Sequence, residues 1–145
     1  MIERDELCRL VPHSGSMCLL DRVIEWNSSA ITCETDSHLD SGNPLCCNET
    51  LSSVAAIEYG AQAMAVHGSL SESTRIATAQ VAYLAAVRDV EFEVDWLHDI
   101  YHPLIIRAER LLADQKGMIY LFSIHALSRL LVKGRLTLMM TSQEH

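Results

Sequence analysis

Residues 51–68, LSSVAAIEYGAQAMAVHG, decide how the rest of the chain must fold. The stretch reads as one helix. Asn48 and Thr50 precede it as candidate N-caps, since their side-chain oxygens can accept the orphan N–H groups of a first turn. Gly68 is a natural stop, because glycine tolerates the left-handed conformation that ends many helices. Between those ends Val54, Ala55, Ile57, Ala61, Met64, Ala65 and Val66 run almost all the way round. A helix apolar on most faces is buried on most faces. Glu58 nevertheless falls inside the stripe of Leu51, Val54, Ala61 and Ala65, with Gln62 one turn on. A carboxylate on a buried stripe is costly unless it is paired, hydrogen-bonded or protonated.

Outward from the helix, the segments on both sides read as strands. Residues 17–26 (MCLLDRVIEW) and Ala30–Thr35 flank Asn27, Ser28 and Ser29, which is a hairpin signal. Residues 36–49 are rich in Gly, Pro, Asn, Asp and Ser and read as a loop leading into the helix. Residues 5–10 suit a short helical turn ended by Pro12. Past the polar connection 69–74, residues 80–94 carry alanines that favour helix. Val81, Tyr83, Val87, Val90, Phe92 and Val94 favour strand, and strand from Val81 is the expectation. Residues 104–112, 118–127 and 132–140 complete the strands. One helix that is apolar all round needs a sheet curled about it, or a sheet and a partner subunit. The expected class is α+β, with an antiparallel sheet wrapped around one long central helix. Gly60, Ala61, Ala63 and Ala65 suit a close approach of sheet to helix.

With 145 residues, 49% of them apolar and 21% charged, the chain has the composition of one globular domain spanning residues 1–145. A formal charge of −8 argues against a nucleic-acid partner. No stretch has the roughly 20 apolar residues that a membrane-spanning helix needs. The N-terminal MIERDELC lacks the basic and apolar regions of a signal peptide, so a cytoplasmic location is expected. Cys8, Cys18, Cys33, Cys46 and Cys47 are odd in number, without a Cys-x-x-Cys pair, and are expected to be free thiols.

Leu10-Val11-Pro12-His13 followed by residues 17–23 (MCLLDRV) resembles the N-terminal segment of the beta-hydroxyacyl-acyl-carrier-protein dehydratases. Ile57-Glu58-Tyr59 followed by Ala61-Gln62-Ala63 is similar to the start of that family's central helix, where an acidic residue precedes an Ala-Gln pair. The likeness covers most of the chain and is nearest to a divergent subgroup associated with aryl-polyene pigment synthesis. The resemblance implies the hotdog fold, a homodimer or higher oligomer, an acyl carrier protein as partner, and no cofactor or metal. It implies His38 and Glu58 as catalytic residues contributed by opposite subunits, with Gln62, Tyr59 and His13 binding substrate. The family's histidine loop reads His-Phe-Pro-Gly, with a second Pro-Gly before the helix. Here the loop reads SHLDSGNP over residues 37–44, and the second Pro-Gly is absent.

Dehydration of a 3-hydroxyacyl thioester removes a proton alpha to the carbonyl and protonates the departing hydroxyl. A neutral histidine suits the first task, and a carboxyl group held in an apolar pocket suits the second. The expected reaction yields trans-2-enoyl thioesters. The alternatives are a hotdog thioesterase, with Glu58 activating water, and a non-catalytic acyl-binding partner of a competent dehydratase. Arg129, Lys133 and Arg135 form a candidate basic patch for an acidic carrier. His67 suits the cation-favouring C-terminal end of the helix. His98 and His102 have the i, i+4 spacing of zinc ligands, but Pro103 follows at once and no helix aligns them.

Overall fold

A computed structural model describes residues 1–11, 17–71 and 80–142 of the chain. The N-terminal residues form a two-residue strand β1 (Ile2–Glu3) and a single short helix α1 (Arg4–Cys8). The hairpin β2 (Arg22–Trp26) and β3 (Ala30–Thr35) follows, closed by Asn27, whose Oδ1 accepts the N–H groups of Ser29 and Ala30. The central helix α2 (Ala56–Ser71) comes next. The remaining strands are β4 (Gln80–Phe92), β5 (Leu104–Ala113), β6 (Gly117–Ala126) and β7 (Arg129–Ser142).

The strands make one seven-stranded antiparallel sheet in the order β1-β2-β3-β5-β6-β7-β4. Alternation decides its faces. Leu104, Ile106 and Ala108 of β5 point inward, as do Met118, Tyr120, Phe122, Ile124 and Ala126 of β6. The sheet curls about α2, which contacts β3, β5, β6 and β7. This is the hotdog architecture, and the strand expected over residues 80–94 is β4 at one edge.

Gly60 sets the closest approach of helix and sheet. A Cβ there would lie 2.7 Å from Cδ2 and 2.8 Å from Cγ of Phe122. Only a residue without a side chain lets β6 pass this close.

The ends of the helix differ from the sequence expectation. Ser52 is the cap, its hydroxyl accepting from Val54 N at 3.1 Å, and a 3₁₀ turn (Ser53–Ala55) precedes α2. Asn48 and Glu49 have φ of 53° and 63° and form a tight turn closed by reciprocal Cys47–Thr50 backbone bonds, so Asn48 and Thr50 do not cap. Gly68 lies inside α2, buried, and the helix continues to Ser71.

The cysteine expectation is also corrected. Cys8 and Cys18 form a disulfide, with Cα atoms 5.7 Å apart. Their ten-residue separation carries no pairing signal in the sequence. Tertiary contact makes the pair, because the Arg4 guanidinium donates to the carbonyls of Cys18 and Leu20 and draws α1 against residues 18–20. Cys33, Cys46 and Cys47 are free thiols. Burial pushes the Cys33 thiol up to about 12.

Candidate active site

The loop from β3 to α2 enters the fold through a 3₁₀ turn (Ser37–Leu39), and His38 on it is buried to 1% exposure. Residues 95–100 cover it. Ser53 N donates to Asp95 O, Leu97 N donates to Leu51 O, and Leu51 N donates to Nδ1 of His98. His38 Nε2 lies 2.8 Å from Ile100 O. A carbonyl oxygen can only accept, so Nε2 carries the proton. Nδ1 is buried and has no hydrogen-bond partner among the described residues. Burial lowers the His38 pKa, opposed by the carbonyls of Ile100 and His102, which favours the neutral ring. A neutral imidazole donating from Nε2 presents an unshared pair on Nδ1. That is the chemistry of a base.

Tyr59 braces this loop from below. Its hydroxyl lies 2.8 Å from Ser37 Oγ and accepts from Asn43 Nδ2 at 3.1 Å. Asn43 Nδ2 also donates to Ser37 O, and burial pushes the Tyr59 pKa up to about 12. Tyr59 is fully buried, so its place is beneath the histidine turn.

Glu58 lies on the opposite flank of the first turns of α2. Tyr59, Gln62, Ala63, Val66 and His67 are buried against the sheet and the loops, whereas Val54 is exposed and Ile57, Glu58, Ala61 and Ala65 are half-buried. In the single chain the stripe carrying Glu58 is therefore the open side of the helix, although its sequence suggested burial. The sheet approaches the other side because Gly60 admits it there. Glu58 has no arginine partner among the described contacts; Arg22 pairs with Glu34, and Arg107 donates to Thr32 Oγ1.

Gln62 holds the carboxylate. Its Nε2 donates to Glu58 Oε2 at 2.9 Å and to Met17 O at 2.7 Å, while Oε1 accepts from Leu19 N at 2.8 Å. Leu19 O in turn accepts from Ser37 Oγ and Thr35 Oγ1. One residue, Leu19, thus joins the helix carrying Glu58 to the turn carrying His38. Sequence periodicity indicated that Gln62 could reach Glu58; its grip on residues 17–19 depends on contacts between distant segments. Within the described chain His38 and Glu58 make no hydrogen bond to each other, and His13 lies outside the described residues.

The remaining candidates take other roles. His67 is fully buried, bonded through Nδ1 to the Tyr120 hydroxyl and through Nε2 to Asn27 O, so it ties α2 to β6 and the β2–β3 turn. Among the described residues no group of three or more His, Cys, Asp and Glu could hold a metal ion. The expected basic patch divides. Lys133 and Arg135 line an outer-face groove of 380 Å³ with Asp89, Glu91, Arg107 and Glu109, and Lys133 pairs with Glu91 at 3.7 Å. Arg129 lines a separate groove of 590 Å³ with Tyr101, His102 and Leu127, next to the segment that covers His38.

Comparison with known proteins agrees with this fold. The ApeP-like family, described as ApeP dehydratase, matches residues 6–145. The ApeI:P dehydratase heterocomplex from Xenorhabdus doucetiae is similar at 25% identity and a TM-score of 0.80, covering 93% of this chain and 90% of that one. A thioesterase from Haemophilus influenzae shares the fold at 16% identity and a TM-score of 0.65, covering 100% of this chain and 95% of its own. A mutant thioesterase from Pseudomonas aeruginosa does so at 10% identity and 0.64, covering 84% and 81%. A comparison with curated proteins finds no match.

Proposed function

The chain belongs to the ApeP-like dehydratase family, and from that membership we propose that it removes water from 3-hydroxyacyl groups carried as thioesters on an acyl carrier protein. The product is the trans-2-enoyl thioester, in fatty-acid or polyene-type synthesis. The observation that carries the reading is His38, a buried imidazole whose pKa burial lowers, with its Nε2 proton committed to Ile100 O and its Nδ1 unpartnered among the described residues. Nδ1 takes the alpha proton of the acyl group, Glu58 delivers a proton to the departing hydroxyl, and water leaves. Gln62 orients the Glu58 carboxylate throughout. Backbone N–H groups at the start of α2 stabilise the thioester oxygen as charge develops.

The two catalytic groups meet across a subunit interface in this proposal. Two features support it: the half-exposed Glu58 face of α2, and the outer edge of β4, a thirteen-residue edge strand with Leu84 and Val87 exposed. Long, apolar edge strands invite pairing with another chain. A second copy fills that edge in a homodimer. The relative from Xenorhabdus doucetiae is a heterocomplex, which makes a related hotdog subunit the competing partner. No described helix is long and apolar enough to cross a membrane, and a cytoplasmic site of action is proposed. Arg129, beside the segment covering His38, is the proposed contact for the acidic carrier.

The test is mass spectrometry of a 3-hydroxyacyl carrier protein incubated with the purified chain and with Glu58→Ala. Loss of one water from the acyl group with the wild type, abolished in the variant, is the expected result. Release of a free acid would mean hydrolysis. Carrier binding without any mass change would refute catalysis by this chain alone.

A further inference from the structure

We propose that the Cys8–Cys18 disulfide is a redox-sensitive clamp on the positioning of Glu58, acting through Leu19 and Gln62. The inference gives Glu58 a function only if the dehydratase reading above holds, but the clamp itself is a property of the fold.

The chain of contacts is short. Cys18 is 2% exposed and adjoins Leu19, whose N–H is held by Gln62 Oε1 and whose carbonyl accepts from Ser37 Oγ beside His38. Met17, on the other side of Cys18, gives its carbonyl to Gln62 Nε2, the same nitrogen that donates to Glu58. Residues 17–19 therefore grip both ends of the Gln62 amide while belonging to no strand or α-helix themselves. Their N-terminal anchor is α1, a five-residue helix with no side-chain N-cap bond. A helix this short does not hold itself together. Leu7 buries α1 in the core and Arg4 binds the carbonyls of Cys18 and Leu20, but the disulfide is the covalent tie between α1 and the segment, and it falls at the residue between the two that hold Gln62.

The bond is also open to exchange on one side. Cys8 is half-buried, whereas Cys18 is enclosed. A dithiol reductant of the dithiothreitol or thioredoxin class attacks Cys8 Sγ with one thiolate. The Sγ–Sγ bond breaks and Cys18 leaves as a thiolate that takes up a proton. The second thiol then resolves the mixed disulfide and releases Cys8, so two electrons and two protons pass from the dithiol to the protein. Cys18 becomes free to move, and the peptide units on either side lose their fixed register with Gln62.

The experiment compares the protein purified without reductant with the same sample treated with dithiothreitol. Alkylation and mass measurement should count two more thiols after reduction; the same thiol count before and after overturns the proposal. Hydrogen exchange at the Leu19 amide should accelerate by about tenfold or more on reduction. Unchanged protection there overturns the clamp. With a 3-hydroxyacyl carrier substrate, kcat should fall about fivefold or more with KM little altered, and oxidised glutathione should restore it. In Gln62→Leu, kcat should already be low and reduction should lower it no further, since both act on one contact. A full additional drop would overturn coupling through Gln62. The Cys8→Ser, Cys18→Ser double variant should match the reduced wild type, and the reduced wild type serves alone if that variant does not fold. Faster Leu19 exchange with no turnover in either redox state would uphold the clamp and refute the dehydratase reading instead.

Discussion

Replacing Gly60 with alanine places two opposing effects on one position. In a solvent-exposed helix the change stabilises by about 1 kcal/mol, because alanine loses less backbone freedom on folding. In α2 the new Cβ would lie 2.7, 2.8 and 3.2 Å from Cδ2, Cγ and Cβ of Phe122. The ring cannot retreat. A Cβ at Gly134 would itself meet Phe122 Cε1 and Val90 Cγ2, both at 2.9 Å, so glycine lines the far side of the same ring. Either α2 or β6 must shift, and overpacking of this kind costs about 1–3 kcal/mol. With both contacts to ring and Cβ backed by backbone, the upper part of that range applies. The net expectation for Gly60→Ala is a loss of about 1–2 kcal/mol, or roughly 2–8 °C in Tm for a chain of this size. Thermal unfolding followed by circular dichroism measures it. A Tm equal to or above that of the wild type would mean that helix propensity governs the site and that the close approach is unimportant. A second arm isolates the contact: Phe122→Leu should cost less in the Gly60→Ala background than alone, with a coupling of about 1 kcal/mol, and strict additivity would refute the steric account.

Four further outcomes follow from the site. His38 has a folded-state pKa below its unfolded value of 6.5, so the unfolded chain binds more protons below that pH. Its contribution to stability is complete above pH 6.5 and is lost as pH falls toward the folded value. In urea titrations His38→Gln should flatten that slope, and in the wild type kcat/KM should decline on the same acid side; an acid-side profile identical in the variant would argue against it. Tyr59→Phe removes a hydroxyl that serves Ser37 and Asn43 and should cost about 1–2 kcal/mol, with a larger proportional loss in kcat than in substrate affinity. Gln62→Leu leaves Leu19 N and Met17 O unpaired and should lower stability by about 2–4 kcal/mol, read by chemical denaturation. Val87→Lys on β4 should reduce the proposed dimer to monomers in light scattering; an unchanged mass would remove β4 from the proposed interface.

Much of the architecture was legible because it rests on local periodicity. The alternation in residues 104–112 and 118–127 identified β5 and β6, and Val87, Val90 and Phe92 identified β4 despite its alanines. Gly60 and the alanines of α2 signalled a closely apposed sheet. Caps were less legible, since Asn48, Thr50 and Ser52 all have capping chemistry. The left-handed turn at Asn48 and Glu49 decides which one is used. The basic patch failed for a related reason: Lys133 and Arg135 are neighbours in sequence, but their groove also receives Asp89, Glu91 and Glu109 from β4 and β5.

By itself the sequence determined the class of fold, the central helix and the residues able to carry acid–base chemistry, because helix and strand periods and side-chain type are local properties. Tertiary structure decided what those residues experience. It enclosed His38 beneath residues 95–100, opened the Glu58 stripe by bringing the sheet to the Gly60 side, and joined Cys8 to Cys18. Burial, pairing and tautomer depend on atoms from segments far apart in the chain, and no local pattern specifies which of them meet.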